Sequence, residues 1–218
     1  MDFAHARSEM IEGQLRPSGV FDLRVLEAIL SVPREAFLTQ EQAEFAYLDK
    51  EHPLQSDSNR LMPTPSSTAK LIELAEVEAG DIVLDIACGT GYSTAILAKL
   101  ANSVVAIESD AGLVEKANAI LAQMDISNAA VVQGELNRGL SAEAPFDVII
   151  IEGAVEEVPA TLFDQLRQGG RLVAIVGTGN SATAMLYVKG KTGITSVSAF
   201  NASLPLLAEF TAKPEFAF

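Results

Sequence analysis

Between residues 81 and 177, short runs rich in β-branched residues alternate with segments of helical spacing. Runs with so little internal polarity suit strands that are covered on both faces, as helical crossover connections require. The predicted strands are 81–87, 103–108, 129–134, 146–152 and 171–177, and the predicted helices are 92–100, 111–124 and 159–168. This alternation predicts a parallel sheet.

The segments on either side extend this sheet. Residues 185–197 contain two extended runs around KGKTG, which predicts an antiparallel hairpin. Residues 20–30 carry helical spacing that ends at Pro33, and Thr64-Pro65 begins a helix that Gly80 closes. We predict an α/β fold with a doubly wound, mostly parallel, seven-stranded Rossmann-like sheet. An N-terminal helical extension (1–60) and the sheet domain (61–218) form one integrated domain.

Composition limits the classes of partner. The formal charge of −14 and the scattered Lys and Arg residues would repel a phosphate backbone, so we expect no nucleic-acid partner. Cys88 is the only cysteine, and His5 and His52 are far apart, so we expect no metal site. Since no apolar run is long enough to span a bilayer and no signal core is present, we expect no membrane partner and a cytoplasmic location. The sequence carries no signal for an oligomeric state.

The loop in VLDIACGTGYSTAIL (83–97) follows the first strand of the alternation and has the composition of a ligand-binding turn. In open α/β sheets, ligands bind beyond the carboxyl ends of the strands. Gly89 and Gly91 let the main chain turn tightly and approach a ligand. Close packing of a strand against a helix would also explain two glycines.

Two acids indicate which ligand the loop takes. Asp85 ends the first strand and Glu108 ends the second, where a carboxylate can accept hydrogen bonds from a ribose diol. A dinucleotide loop would need a small residue where Thr94 stands, and Asp85 would lie close to a pyrophosphate. S-adenosyl-L-methionine has no phosphate and carries an ammonium and a sulfonium group, so the acids favour it.

Five segments, in order along the chain, match one enzyme family: VLEAILSVPREAFL (25–38), FAYLDKEHPL (45–54), VLDIACGTGYSTAILAKL (83–100), VVAIES (104–109) and residues 144–177. Together they resemble the protein-L-isoaspartate O-methyltransferases, and V-P-R-E-x-F is the most specific of their elements. The resemblance implies a Rossmann-like methyltransferase, S-adenosyl-L-methionine as cofactor, and a peptide or protein with an isoaspartyl residue as the substrate to be repaired.

The resemblance also implies where the cofactor lies: against residues 85–91, with its ribose on Glu108 and its adenine near Glu135. Glu135 stands where the family usually has aspartate, and Ala87 where it often has glycine, so we expect a negative φ at Ala87. Cys88 is expected to fill a small-residue position in the loop. The predicted cofactor-binding residues are Asp85, Ile86, Ala87, Cys88, Gly89, Gly91, Glu108, Ser109, Gly134, Glu135, Leu136 and Glu152.

The chain departs from the family upstream of the loop. The family's T-I-S-Q-P aligns with residues 61–65, so Pro63 takes the position of a serine implicated in methyl transfer. Thr64 is the candidate catalytic hydroxyl, and the alternative is that it only caps the following helix. Activity on another acceptor, and cofactor binding without transfer, are the alternative functions. His52, beside Pro53, is expected in a surface turn.

Overall fold

The computed structural model describes residues 1–54 and 60–211. Within these residues a two-stranded ribbon, β1 (His52–Pro53) and β2 (Leu61–Met62), precedes one seven-stranded sheet. The sheet strands are β3 (Ile82–Ile86), β4 (Ser103–Glu108), β5 (Ala129–Gln133), β6 (Phe146–Val155), β7 (Leu166–Val176), β8 (Thr183–Lys189) and β9 (Ile194–Asn201).

The sheet has the order β5-β4-β3-β6-β7-β8-β9. Neighbouring strands from β5 to β7 pair in parallel, whereas β8 and β9 pair antiparallel at one edge. The predicted fold class is therefore confirmed, including the C-terminal hairpin. The carboxyl ends of β3, β4 and β6 meet at the same edge of the sheet, where ligands bind in this class of fold.

Six α-helices lie within the described residues: α1 (Phe3–Met10), α2 (Leu23–Ser31), α3 (Pro65–Leu74), α4 (Tyr92–Leu100), α5 (Ala111–Gln123) and α6 (Ala160–Asp164). Helix α1 continues into a π-helical turn, Ile11–Leu15. The side chains of Asp2, Asp22, Thr64 and Asp110 accept hydrogen bonds from N–H groups of the first turns that follow them.

Two helix boundaries differ from the prediction. The helix predicted at 159–168 ends at Asp164, because Phe146 pairs with Leu166 and its N–H donates to the Gln165 carbonyl over 2.8 Å. The strand predicted to begin at residue 171 therefore begins at Leu166. Helix α3 ends at Leu74 rather than near Gly80, and Glu76 has a left-handed φ of 47° just beyond it.

Apolar residues on the two faces of the sheet belong to two separate core clusters. Val83 packs on one face with Leu26 of α2, Ile72 of α3 and Ile96 of α4. The N-terminal helices therefore share a core with the sheet, while a boundary at residue 60 stays a prediction. The other face is covered by α6, short 3₁₀ turns and the segment after β9; its cluster includes Leu84, Ile149, Leu162, Leu172 and Phe210.

The predicted exposure of His52, in the ribbon, is wrong. His52 was expected in a surface turn, but it lies buried in β1, paired opposite Met62. Burial, together with the nearby Arg34 and Lys50 cations, lowers the pKa of His52 to about 4, so the ring is neutral at physiological pH. In the described part of the chain, no cluster of three or more potential metal ligands occurs. No described helix combines the length and apolar character needed to cross a bilayer.

Candidate functional site

Residues 85–91, which we call the glycine loop, connect β3 to α4. Three of its residues have left-handed backbone conformations: φ is 67° at Ala87, 59° at Gly89 and 90° at Gly91. The expectation of a negative φ at Ala87 is therefore wrong. The Ala87 N–H still donates to the Ile107 carbonyl over 2.9 Å, so the chain must turn away from the sheet at this residue. For alanine, this conformation costs about 1 kcal/mol.

Asp85 supports the glycine loop from below. Its carboxylate is fully buried and accepts hydrogen bonds from the Ser93 hydroxyl at 2.8 Å and the Thr94 hydroxyl at 2.7 Å. Burial raises the pKa of Asp85 to about 6, although both hydroxyls act against that shift. The carboxylate therefore fixes the first turn of α4 relative to the end of β3.

Glu108 holds the glycine loop from the side. Its buried carboxylate accepts hydrogen bonds from the Gly89 N–H at 2.9 Å and the Ser109 N–H at 2.8 Å. The guanidinium of Arg60 donates to the same carboxylate at 2.7 Å. These three donors satisfy both carboxylate oxygens of Glu108 without contact with solvent. The sequence correctly located this acid at the end of β4, next to the loop.

Leu54 and Arg60 lie over the glycine loop. Arg60 also donates to the Ala87 carbonyl at 2.7 Å, and a Cβ built on Gly89 would come within 2.4 Å of the Leu54 side chain. About 10 Å³ remains between Leu54 and the loop, roughly the room of one water molecule. Sequence reasoning missed both residues, because their approach to the loop is a long-range contact without a local signal.

The predicted adenine-side residues follow β5. The Gly134 N–H donates to the Glu108 carbonyl at 3.1 Å, and a Cβ at Gly134 would meet Ile107 at 2.7 Å. Leu136 is fully buried. Glu135 differs from the other predicted acids, because its side chain is 65% exposed and pairs with Arg138 at 2.7 Å.

A second space, which we call the side cavity, lies beside the glycine loop and has a volume of about 260 Å³. The segment after β9 forms one wall. This segment is attached to the end of β6, since the Ala154 N–H donates to the Pro205 carbonyl at 3.0 Å and the Leu207 N–H donates to the Ala154 carbonyl at 2.9 Å. The lining residues are Arg60, Leu61, Pro63, Glu152, Gly153 and residues 204–209.

Glu152 lines both the side cavity and the small space beneath Leu54. It is 5% exposed, and neither carboxylate oxygen has a hydrogen-bond partner among the described residues. Burial raises the pKa of Glu152 well above its usual range, and the negative charge of Asp85 raises it further. The predicted position at the ligand edge of β6 thus holds a buried carboxyl group between two spaces.

The hydroxyl of Thr64 caps α3. It accepts a hydrogen bond from the Ser67 N–H at 3.1 Å and lies 3.0 Å from the Ser67 hydroxyl. This geometry corresponds to the capping alternative. A catalytic contribution of Thr64 stays a prediction. Cys88 occupies its loop position buried, and burial raises the pKa of its thiol, so it stays protonated at neutral pH.

The V-P-R-E-x-F element contacts residues that line the two spaces. Arg34 is fully buried, donates to the Ala46 carbonyl at 3.0 Å and the Pro63 carbonyl at 2.5 Å, and stacks 4.7 Å from the Tyr92 ring centroid. The Thr90 hydroxyl donates to the Phe37 carbonyl at 2.8 Å. The element therefore fixes both the glycine loop and Pro63, which lines the side cavity. The sequence identified this element as a family motif but did not predict the buried position of Arg34.

The chain is similar in sequence and in fold to known proteins. A family model for protein-L-isoaspartate(D-aspartate) O-methyltransferase matches residues 5–204. The protein-L-isoaspartate O-methyltransferase of Koribacter versatilis is 40% identical over 81% of this chain and 78% of its own length. That of Methanoculleus marisnigri is 35% identical over 94% of this chain and 92% of its own length.

Solved structures add the fold. One protein-L-isoaspartate O-methyltransferase superimposes with a TM-score of 0.82 at 27% identity over 93% of this chain, which spans 66% of that longer chain. A Plasmodium falciparum structure, described as a beta-aspartate methyltransferase in complex with S-adenosyl-L-homocysteine, gives a TM-score of 0.76 at 20% identity over 93% of this chain and 98% of its own. The family model, the relatives and the fold lead to one conclusion: this chain belongs to the protein-L-isoaspartate O-methyltransferase family.

Proposed function

We propose that this protein transfers a methyl group from S-adenosyl-L-methionine to the free carboxylate of isoaspartyl residues in damaged peptides or proteins. The methyl ester lets the damaged residue cyclise and reopen toward normal aspartate. The observation that carries the proposal is the buried carboxylate of Glu108, held against the glycine loop and paired with Arg60, which lines the side cavity. We place the reaction in the cytoplasm, as the sequence predicts.

The residues on the donor side fit this cofactor. The Glu108 carboxylate can accept hydrogen bonds from both hydroxyls of a ribose. The main chain of Gly89 can lie close to a ligand because glycine carries no side chain. Farther along the same edge of the sheet, where the adenine would lie, are Ser109, Gly134 and Leu136. The main chain of the loop, residues 85–91, would lie along the methionine part. When bound, the cofactor supplies a methyl group on a positively charged sulfur that leaves as a neutral thioether.

Cofactor binding requires Leu54 and Arg60 to move. The room between Leu54 and the loop is far too small for a nucleoside, and Arg60 already forms an ion pair with the carboxylate proposed for the ribose. We therefore propose that the ribose hydroxyls replace the Arg60 guanidinium on Glu108. The buried pair gives up a charge-assisted hydrogen bond in this exchange, so part of the cofactor's binding free energy is used to break it.

The side cavity suits a carboxylate acceptor that needs no general base. A carboxylate with an ordinary pKa near 4 is already ionised at neutral pH and can supply the electron pair for the new C–O bond, so no proton has to be removed. Pro63 and the wall from Leu204 to Leu206 are mostly apolar and would exclude water. The chain's task is therefore to align the acceptor and remove its solvent.

The decisive experiment uses an isoaspartyl peptide beside the same peptide with normal aspartate. Incubation with methyl-labelled S-adenosyl-L-methionine should give a base-labile methyl ester on the isoaspartyl peptide alone. Ester formation on neither peptide, together with calorimetric binding of S-adenosyl-L-homocysteine, would point instead to another acceptor. Pro63 in the serine position is the observation that favours this alternative.

A further inference from the structure

Few side chains around the side cavity can contact a charged acceptor. Among the described lining residues, only Arg60, Glu152 and Glu209 carry an ionisable side chain. Arg60 is already engaged with Glu108 and the Ala87 carbonyl. The neighbouring Thr64 hydroxyl is used by Ser67, and Pro63 has no hydrogen-bond donor. Glu152 is therefore the buried polar group that is available to a ligand in the side cavity.

The surroundings of Glu152 favour its neutral form. The nearby charged groups are Asp85 on β3, Arg34 before Phe37, Arg60 before β2, and Glu209 across the cavity. Burial and Asp85 raise the pKa of Glu152, while the two arginines oppose this shift and do not reverse it. A protonated carboxyl has an O–H donor, whereas an ionised carboxylate has none.

A buried polar atom without a partner costs free energy, roughly 1–3 kcal/mol in protein mutational data. Both oxygens of Glu152 face this cost among the described residues. A ligand that accepts a hydrogen bond would remove it. Two carboxyl groups that share one proton form such a pair, because like charges at close range cannot both ionise.

We propose that Glu152, as a neutral carboxylic acid, binds the acceptor carboxylate in the side cavity by donating a hydrogen bond to one of its oxygens. This inference rests on the proposed function. The hydrogen bond fixes the acceptor's rotation, so that its second oxygen faces the methyl donor. The proton of Glu152 stays on its own oxygen, and no proton transfer accompanies the new C–O bond.

The test measures binding of an isoaspartyl peptide to the full chain saturated with S-adenosyl-L-homocysteine, so that it needs no methyl transfer. Glu152→Gln keeps a donor in the same place, whereas Glu152→Leu has similar size and no donor. We expect the Gln variant to bind within about threefold of the natural chain and the Leu variant to bind roughly tenfold to a hundredfold more weakly. Glu157→Gln changes an exposed acid outside both spaces and serves as the matched control.

The pH dependence gives a second readout that a purely structural role would not move. Affinity of the natural chain should decline as pH rises and Glu152 loses its proton, while the Gln variant should not show this decline. Equal peptide binding by the Leu variant and the natural chain would overturn the inference, as would a Gln variant as weak as the Leu variant. Tighter binding by the natural chain at higher pH would also overturn it. Absence of methyl ester from the natural chain, by contrast, removes the proposed function itself.

Discussion

The glycine loop and the side cavity satisfy their acidic groups in opposite ways. Around the glycine loop, both oxygens of the buried Glu108 and one oxygen of the buried Asp85 receive hydrogen bonds from hydroxyl, amide or guanidinium groups. In the side cavity, Glu152 is buried to a similar degree, yet its oxygens have no partner among the described residues. The first arrangement holds a backbone in a fixed shape. The second leaves hydrogen-bonding capacity for a ligand.

The largest effect is expected on the loop side, at Glu108. Glu108→Gln keeps the size but removes the charge, and should weaken S-adenosyl-L-homocysteine binding by about 10- to 100-fold. Glu135→Gln is the matched control, because Glu135 is mostly exposed and should change affinity by less than about threefold. Isothermal titration calorimetry measures both. Similar losses in the two variants would mean that the buried and exposed acids contribute alike.

The second expected effect is on the free energy of unfolding, which the unpartnered carboxyl group of Glu152 should lower. Because its pKa is raised in the folded state, its contribution to the free energy of unfolding is complete below the ordinary value of 4.5 and declines as pH rises through the raised pKa. Glu152→Gln should therefore be more stable than the natural chain by about 1–3 kcal/mol near pH 8, and this gain should shrink toward pH 5. Denaturant unfolding at both pH values tests this. A Gln variant that is less stable near pH 8 contradicts it.

Substitution of Thr64, which follows Pro63 of the side cavity, distinguishes a structural from a chemical role of its hydroxyl. Thr64→Ala removes the cap of α3 and should lower the free energy of unfolding by about 1 kcal/mol. Since the hydroxyl is used by Ser67, ester formation should stay within about threefold of normal, and Thr64→Ser should restore stability. A rate loss of about 100-fold in a folded Ala variant would instead assign the hydroxyl to the chemistry.

The smallest effect is expected at the strained alanine of the glycine loop. Ala87→Gly should raise the free energy of unfolding by about 0.5–1 kcal/mol, because glycine adopts a positive φ without the steric cost. Ala95→Gly, within α4, is the control and should lower it by about 1 kcal/mol. If both variants lose stability equally, the backbone at Ala87 is not left-handed in solution.

Local patterns predicted the sheet well, because buried parallel strands leave continuous apolar runs that periodicity can detect. They failed where a distant pairing decided the outcome. The helix expected at 159–168 gives way to strand, because Leu166 pairs with Phe146. His52 is buried by the ribbon strand that follows it in sequence.

The residues of the site also fall into those that the sequence predicted and those that depend on long-range contacts. Glu108 and the glycines were predicted, since the ends of neighbouring strands determine their positions. The wall of residues 204–209 was not predicted, because the chain returns there only after the hairpin and attaches to β6 through main-chain hydrogen bonds. Arg60 reaches Glu108 from a segment whose spacing carries no such information.

A crystal structure of the protein with S-adenosyl-L-homocysteine tests the central claim most directly. The account predicts the ribose hydroxyls on the Glu108 carboxylate, the Arg60 guanidinium displaced from it, and the nucleoside along the main chain of Gly89. A structure in which Arg60 still pairs with Glu108 and the nucleoside lies elsewhere would contradict it.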